Sequence, residues 1–141
     1  MIRKLEIVNL EKVIKIWLEA NIQAHEFIPE SYWLENYDEV KNLLPQAEVY
    51  VYEDDGEIKG FIGLAEEYIA GIFTSILYQS KGIGKELLEY VKEKKDNLSL
   101  KVYVKNCRAV NFYEREGFKI ISETIDENTG EKELYMVWKK C

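Results

Sequence analysis

The stretch YQSKGIGKELLEYV, Tyr78 to Val91, runs a polar, glycine-spaced turn straight into a patterned helix. Ile83, Leu87 and Val91 recur at helical spacing with Leu88 alongside, which predicts a helix over Gly84–Lys95. The first turn of a helix has backbone N–H groups without intrahelical partners and the positive end of the peptide dipole, so it attracts anions. Gly82 and Gly84 remove side chains where a ligand would approach the backbone, and Lys81 and Lys85 add positive charge. The stretch therefore reads either as a turn that holds a phosphate-bearing ligand or as a glycine-bearing turn that caps an ordinary helix.

Three loop patterns compete for it. A nucleotide P-loop reads G-x-x-x-x-G-K-[ST]. Here Gln79 stands at the first glycine, and Glu86 stands where magnesium requires a hydroxyl, so that reading fails. A dinucleotide loop reads G-x-G-x-x-G after an early strand. Gly82 and Gly84 fit, but Leu87 replaces the third glycine and the preceding strand is the fourth. The third pattern, Q/R-x-x-G-x-G/A after a strand, is matched in full by Gln79 to Gly84.

Around this loop the elements read clearly. Met1 to Val8 contains a short strand, and Asn9 is expected to cap a helix reaching Gln23. Pro29 opens a second helix that stops before Pro45. Glu48–Glu53 and Ile58–Leu64 form a hairpin about Asp55-Gly56, and Tyr68–Thr74 is a further strand. Downstream lie a strand over 98–104, a short helix over 107–116 closed by Gly117, and a hairpin around Asn128-Thr129-Gly130. The order βαα-ββ-βα-βα-ββ implies a mixed sheet with helices on its faces, an α/β (α+β) protein.

At 141 residues, with 47% hydrophobic and 32% charged residues, one domain spanning 1–141 is expected. No apolar run is long enough to span a bilayer, and the N-terminus is too interrupted by charge for a secretory signal, so a cytoplasmic location is expected. A net charge of −7 argues against nucleic acid as a partner. Two cysteines and one histidine leave no pattern for a metal centre. Cys107 reads as a small buried filler.

A second motif, NCRAVNFYEREGF from Asn106 to Phe118, joins the loop to a family. Asn106, Ala109, Phe112, Tyr113, Gly117 and Phe118 match N-x-x-A-x-x-F/L-Y-x-x-x-G-F. Together the two motifs and the element order resemble the GCN5-related N-acetyltransferases (GNAT). The resemblance implies a sheet of about seven strands flanked by four helices, with a V-shaped splay between strands 4 and 5. It implies acetyl-CoA as co-substrate and no metal. The pantetheine arm would meet backbone groups of Ile72, Phe73 and Thr74, and Asn106. The pyrophosphate would meet Gln79, Ser80, Lys81, Gly82, Ile83, Gly84 and Lys85. Tyr113 would protonate the departing thiolate.

Two departures from the family pattern stand out. Lys101 occupies the position of a glutamate base found in some members, and Ile76 replaces a frequent proline. Glu66 and Glu67, just before the fourth strand, are the substitute base candidates. His25, Phe27 and Trp33 would contribute to the acceptor site, since the first two helices usually line it. The expected reaction is acetyl transfer to a primary amine of a small molecule. Transfer to a protein or peptide amine, or a non-catalytic CoA-binding module, are the alternatives. Final strands of this fold often pair between subunits, which admits a homodimer.

Overall fold

The computed structural model describes residues 1–141. The strands are β1 (Ile2–Lys4), β2 (Glu48–Asp54), β3 (Glu57–Ala65), β4 (Tyr68–Thr74), β5 (Asn97–Tyr103), β6 (Lys119–Ile125) and β7 (Lys132–Lys139). The helices are α1 (Leu10–Ala24), α2 (Glu30–Leu43), α3 (Ile83–Lys94) and α4 (Cys107–Arg115). The seven strands form one sheet in the order β1-β2-β3-β4-β5-β7-β6. Every neighbouring pair is antiparallel except β4 and β5.

Alternation along the strands divides the core into two layers. Ile62, Leu64, Ile69, Leu98, Leu100, Val102 and Met136 pack against Ile83, Leu87, Leu88 and Val91 of α3 and Tyr113 of α4. Val49, Val51, Ile58 and Phe61 pack on the other face against Val13, Ile14, Ile16 and Trp17 of α1 and Trp33 of α2. Adjacent strand residues such as Phe61 and Ile62 thus feed opposite layers, the expected consequence of a period of two.

The β4–β5 pairing is short. Only Tyr68↔Ser99 and Ile69↔Leu100 are in register, after which the two strands part. Each strand keeps its outer neighbour: β4 pairs with β3 as far as Thr74, and β5 pairs with β7 as far as Tyr103. The expected V-shaped splay is present, and its open end faces the carboxyl ends of both strands.

Local chemistry explains most element ends. Asp55 and Gly56 both adopt positive φ (54° and 74°), the backbone of a tight hairpin turn that twists with its strands. Gly117, at φ 95°, ends α4, and Phe118 N–H returns to Tyr113 O at 3.0 Å. Asn9 behaves differently from expectation. It makes no side-chain cap; a 3₁₀ turn over Ile7–Asn9 leads into α1. Its Oδ1 instead accepts from Arg3 Nη1 at 3.1 Å, because the guanidinium on β1 competes for the same oxygen.

Gly63 and Gly71 face each other across β3 and β4. A methyl at Gly71 would lie 2.3 Å from the Phe73 ring, whereas one at Gly63 meets nothing within 4 Å. The Phe73 ring is itself packed on Phe61, with centroids 5.0 Å apart. Gly71→Ala is expected to destabilise the fold by about 1–3 kcal/mol by forcing that ring aside. Gly63→Ala is expected to leave stability within about 1 kcal/mol of the parent, since alanine is the better strand residue. Urea unfolding of the two variants reads the contrast.

Candidate active site

The splay opens into a cleft of about 1560 Å³. One wall comes from β4 and the loop before α3, and another from β5 and the start of α4. The end of α1 and the link to α2 cover a third side. Ile72, Phe73, Thr74, Gln79, Ser80, Gly82, Ile83, Gly84, Lys85, Asn106, Tyr113, His25, Phe27 and Trp33 all line it. Lys81 does not. Glu66 and Glu67 form the exposed turn between β3 and β4 and also lie outside the lining.

The glycine loop is held by several contacts. Ser75 caps a 3₁₀ turn over Ile76–Tyr78, its Oγ accepting from Leu77 N–H at 3.4 Å. The Tyr78 hydroxyl donates to Glu57 at 3.0 Å, and Lys59 Nζ sits 4.4 Å over the Tyr78 ring. Ser80 then adopts φ 65° and Gly82 φ 82°, so the chain reverses sharply before α3. The left-handed conformation strains a residue with a Cβ such as Ser80 by about 1 kcal/mol. Arg108 Nη2 donates to Ser80 Oγ at 2.6 Å, which braces this turn from α4.

A pyrophosphate fits this arrangement. Gly82 is open on the side where a Cβ would project, with no heavy atom within 4 Å. The N–H groups at the start of α3 have no intrahelical partners. Lys85, in the first turn of α3, and Arg108, bonded to Ser80, add positive charge there. On β4, Ser75 N–H donates to Lys59 O on β3. By the alternation of an antiparallel ladder, Phe73 then directs its peptide groups to β3, while Ile72 and Thr74 direct theirs into the opening.

Tyr113 projects from α4 beneath the apex of the splay and is only 8% exposed. Phe112 and Phe118 pack on its ring with centroids 5.3 Å and 5.6 Å away. Burial pushes its phenol well above the ordinary tyrosine value, with nearby Tyr68 adding to the effect. The hydroxyl therefore remains protonated at working pH and is a donor.

His25 and Asn106 are joined across the cleft. Asn106 Oδ1 accepts from Ala109 N–H at 3.3 Å as the N-cap of α4. That fixes the amide orientation, so Nδ2 faces His25 Nε2 at 3.2 Å. Nε2 must then accept, and the ring proton lies on Nδ1, which donates to Asn21 O at 3.0 Å. Both ring nitrogens are thus used inside the fold. The ring also stacks on Trp33 (5.2 Å, 29°) and meets Phe27 and Tyr103 edge-on. Asn106 keeps one amide hydrogen for a ligand.

Several cleft residues carried no signal in the chain. Arg108 sits at a variable position of the second motif, and Tyr68, Tyr103 and Glu133 come from three different strands. Only the splay brings them together. Cys107, expected as buried filler, is exposed on the cleft rim, because it opens α4 on the side turned from the sheet.

Burial lowers the His25 pKa from 6.5, partly offset by its bond to the Asn21 carbonyl. A lowered folded-state value means the unfolded chain binds the proton more readily. His25 therefore contributes stability that is complete above about pH 6.5 and is lost as pH falls toward the folded value. His25→Gln is expected to flatten this part of the stability–pH curve, measured by denaturation between pH 5 and pH 8.

Comparison with known proteins agrees with this geometry. The family model described as an acetyltransferase (GNAT) domain matches residues 19–139. The chain is 34% identical over 140 residues to the peptidyl-lysine N-acetyltransferase YiaC of Escherichia coli strain K12, covering 98% of this chain and 96% of the relative. The solution structure of apo YjaB from Escherichia coli superposes with a TM-score of 0.87 at 24% identity, over 100% of this chain and 98% of that one, a likeness of fold. The PaiA N-acetyltransferase of Thermoplasma acidophilum, solved in complex with coenzyme A, gives a TM-score of 0.79 at 26% identity over 99% and 98% of the two chains. With a family model matched over residues 19–139 and a relative 34% identical along nearly its whole length, this chain belongs to the GNAT family of N-acetyltransferases.

Proposed function

We propose that the protein transfers the acetyl group of acetyl-CoA to the ε-amine of lysine in a protein or peptide. The observation that carries this reading is the open cleft between β4 and β5, with Lys85 and Arg108 beside the glycine loop and, on the far side, Phe27, Trp33 and Tyr103 with Glu26 and Glu133 as well as Lys101 and Lys105. A relative 34% identical over nearly the whole chain bears the name peptidyl-lysine N-acetyltransferase, which favours lysine over the small-molecule amine expected from sequence.

When bound, acetyl-CoA supplies an acetyl group activated as a thioester. The backbone N–H groups of Gly82 to Lys85 hold its pyrophosphate at the start of α3, with Arg108 bracing the turn through Ser80. Ile72 and Thr74 turn their peptide groups toward the pantetheine arm, and the spare Asn106 amide hydrogen reaches it from α4. These contacts orient the thioester for a nucleophile entering from the α1–α2 side. Tyr113 Oη donates its proton to the leaving sulfur. Glu66 and Glu67 lie at the turn beyond the closed end of the splay, so any part they take in proton removal runs through water.

The experiment is thiol release from acetyl-CoA with N-terminally blocked peptides containing one internal lysine, beside the same peptides with arginine and a panel of polyamines and aminoglycosides. Turnover that depends on the lysine is expected. Turnover confined to the small amines overturns the lysine reading. Tyr113→Phe is expected to lower kcat by about 10²–10⁴-fold. Its KM for acetyl-CoA is expected to stay within about threefold, because the hydroxyl acts on the leaving group.

A further inference from the structure

Glu133 opens β7 opposite Tyr103 of β5, and its side chain lines the cleft. Paired residues of adjacent strands share a face, so Glu133 stands on the side where Tyr103 packs against His25 and Phe27. That is the side opposite α3 and α4, where the donor loop lies. The carboxylate is half-buried and makes no ion pair and no hydrogen bond. The nearby carboxylates of Glu131 and Asp126 are both engaged, with Lys105 at 3.2 Å and with the Tyr103 hydroxyl at 2.6 Å.

We propose that Glu133 is the carboxylate that receives the acceptor's ammonium group in the cleft and takes its first proton. The assignment rests on the lysine-acceptor reading above. It fills the role left open by Lys101, which occupies the β5 position where the base was sought. A side chain arriving from solvent as R–NH₃⁺ pairs with Glu133 and is desolvated between Tyr103 and Tyr68. It loses one proton to the carboxylate, which passes it to water. The neutral nitrogen forms the C–N bond as the C–S bond breaks. The second nitrogen proton balances the one that Tyr113 delivers to sulfur, so the transfer releases one net proton.

The groups that face Glu133 come from each element around it. They are Lys101 and Tyr103 on β5, Asp126 after β6, Tyr32 on α2 and Tyr68 on β4. Burial raises the Glu133 pKa, Asp126 raises it further, and Lys101 opposes both. A carboxyl shifted upward is a better proton acceptor near neutral pH than an ordinary glutamate.

The test compares wild type, Glu133→Gln and the control Glu131→Gln, with a lysine peptide as acceptor. For Glu133→Gln, KM for the peptide should rise at least about tenfold at pH 7.5, with KM for acetyl-CoA changed less than about twofold. The deficit in kcat/KM should narrow as pH approaches about 10, where the lysine amine loses its own proton. Peptide affinity for the CoA-bound protein, read by calorimetry, should weaken about tenfold. Glu131→Gln should leave all of these near wild type. A thermal shift with CoA equal to wild type establishes that the variant is folded. If wild type turns over the peptide and Glu133→Gln matches it in KM and affinity, the Glu133 assignment is overturned alone. A pH-independent loss in Glu133→Gln also overturns it as proton acceptor. No peptide turnover by wild type overturns the lysine reading and this assignment with it.

Discussion

The early parting of β4 from β5 is the constraint on which the other features depend. After Ile69 and Leu100 the two strands stop sharing hydrogen bonds, and the peptide groups of Ile72 and Thr74 are left facing an opening. Dry, unpaired peptide groups would cost about 1–3 kcal/mol each. Here they face a wide, open cleft and are not sealed from solvent. The separation is tolerated because each half-sheet is complete on its outer side. The ladder from β3 holds β4 along its length, and β7 holds β5 from Asn97 to Tyr103. Phe112 and Tyr113 of α4 line the opening that results.

Charge is distributed to match that geometry. The chain carries a net −7, yet the loop wall gathers Lys85 and Arg108. The opposite wall carries a belt of aromatic rings with Glu26 and Glu133, and Lys101 and Lys105 stand among them. An anionic donor would meet positive charge at the loop wall. His25 and Asn106 tie the two sides together through one hydrogen bond. The N-cap of α4, the ring tautomer and the end of α1 are therefore set jointly.

The glycine loop, the Asn106 to Phe118 motif and the strand and helix order were legible because each is local. Gly82 needs its left-handed φ, Gly117 ends α4 as read, and the periodicity of α3 depends only on its own residues. The misreadings share a different cause. Asn9 reads as a cap until Arg3, on a neighbouring strand, takes its oxygen. Nothing near His25 in the chain points to Asn106, 81 residues away, which fixes its tautomer. Glu66 and Glu67 are adjacent to the fourth strand in sequence, yet the hairpin turn carries them out past the closed end of the splay.

By itself, then, the amino-acid sequence determined the elements, their order, the family and the glycine turn before α3. These follow from periodicity, backbone preference and short motifs, all of which act over a few residues. Only the tertiary structure decided which side chains meet in the cleft. Tyr68, Tyr103, Asn106, Tyr113 and Glu133 come from β4, β5, α4 and β7 and its neighbouring loops. Their proximity is a consequence of strand pairing across the sheet and of the gap that one parallel pair leaves open, and pairing between distant segments has no local signature.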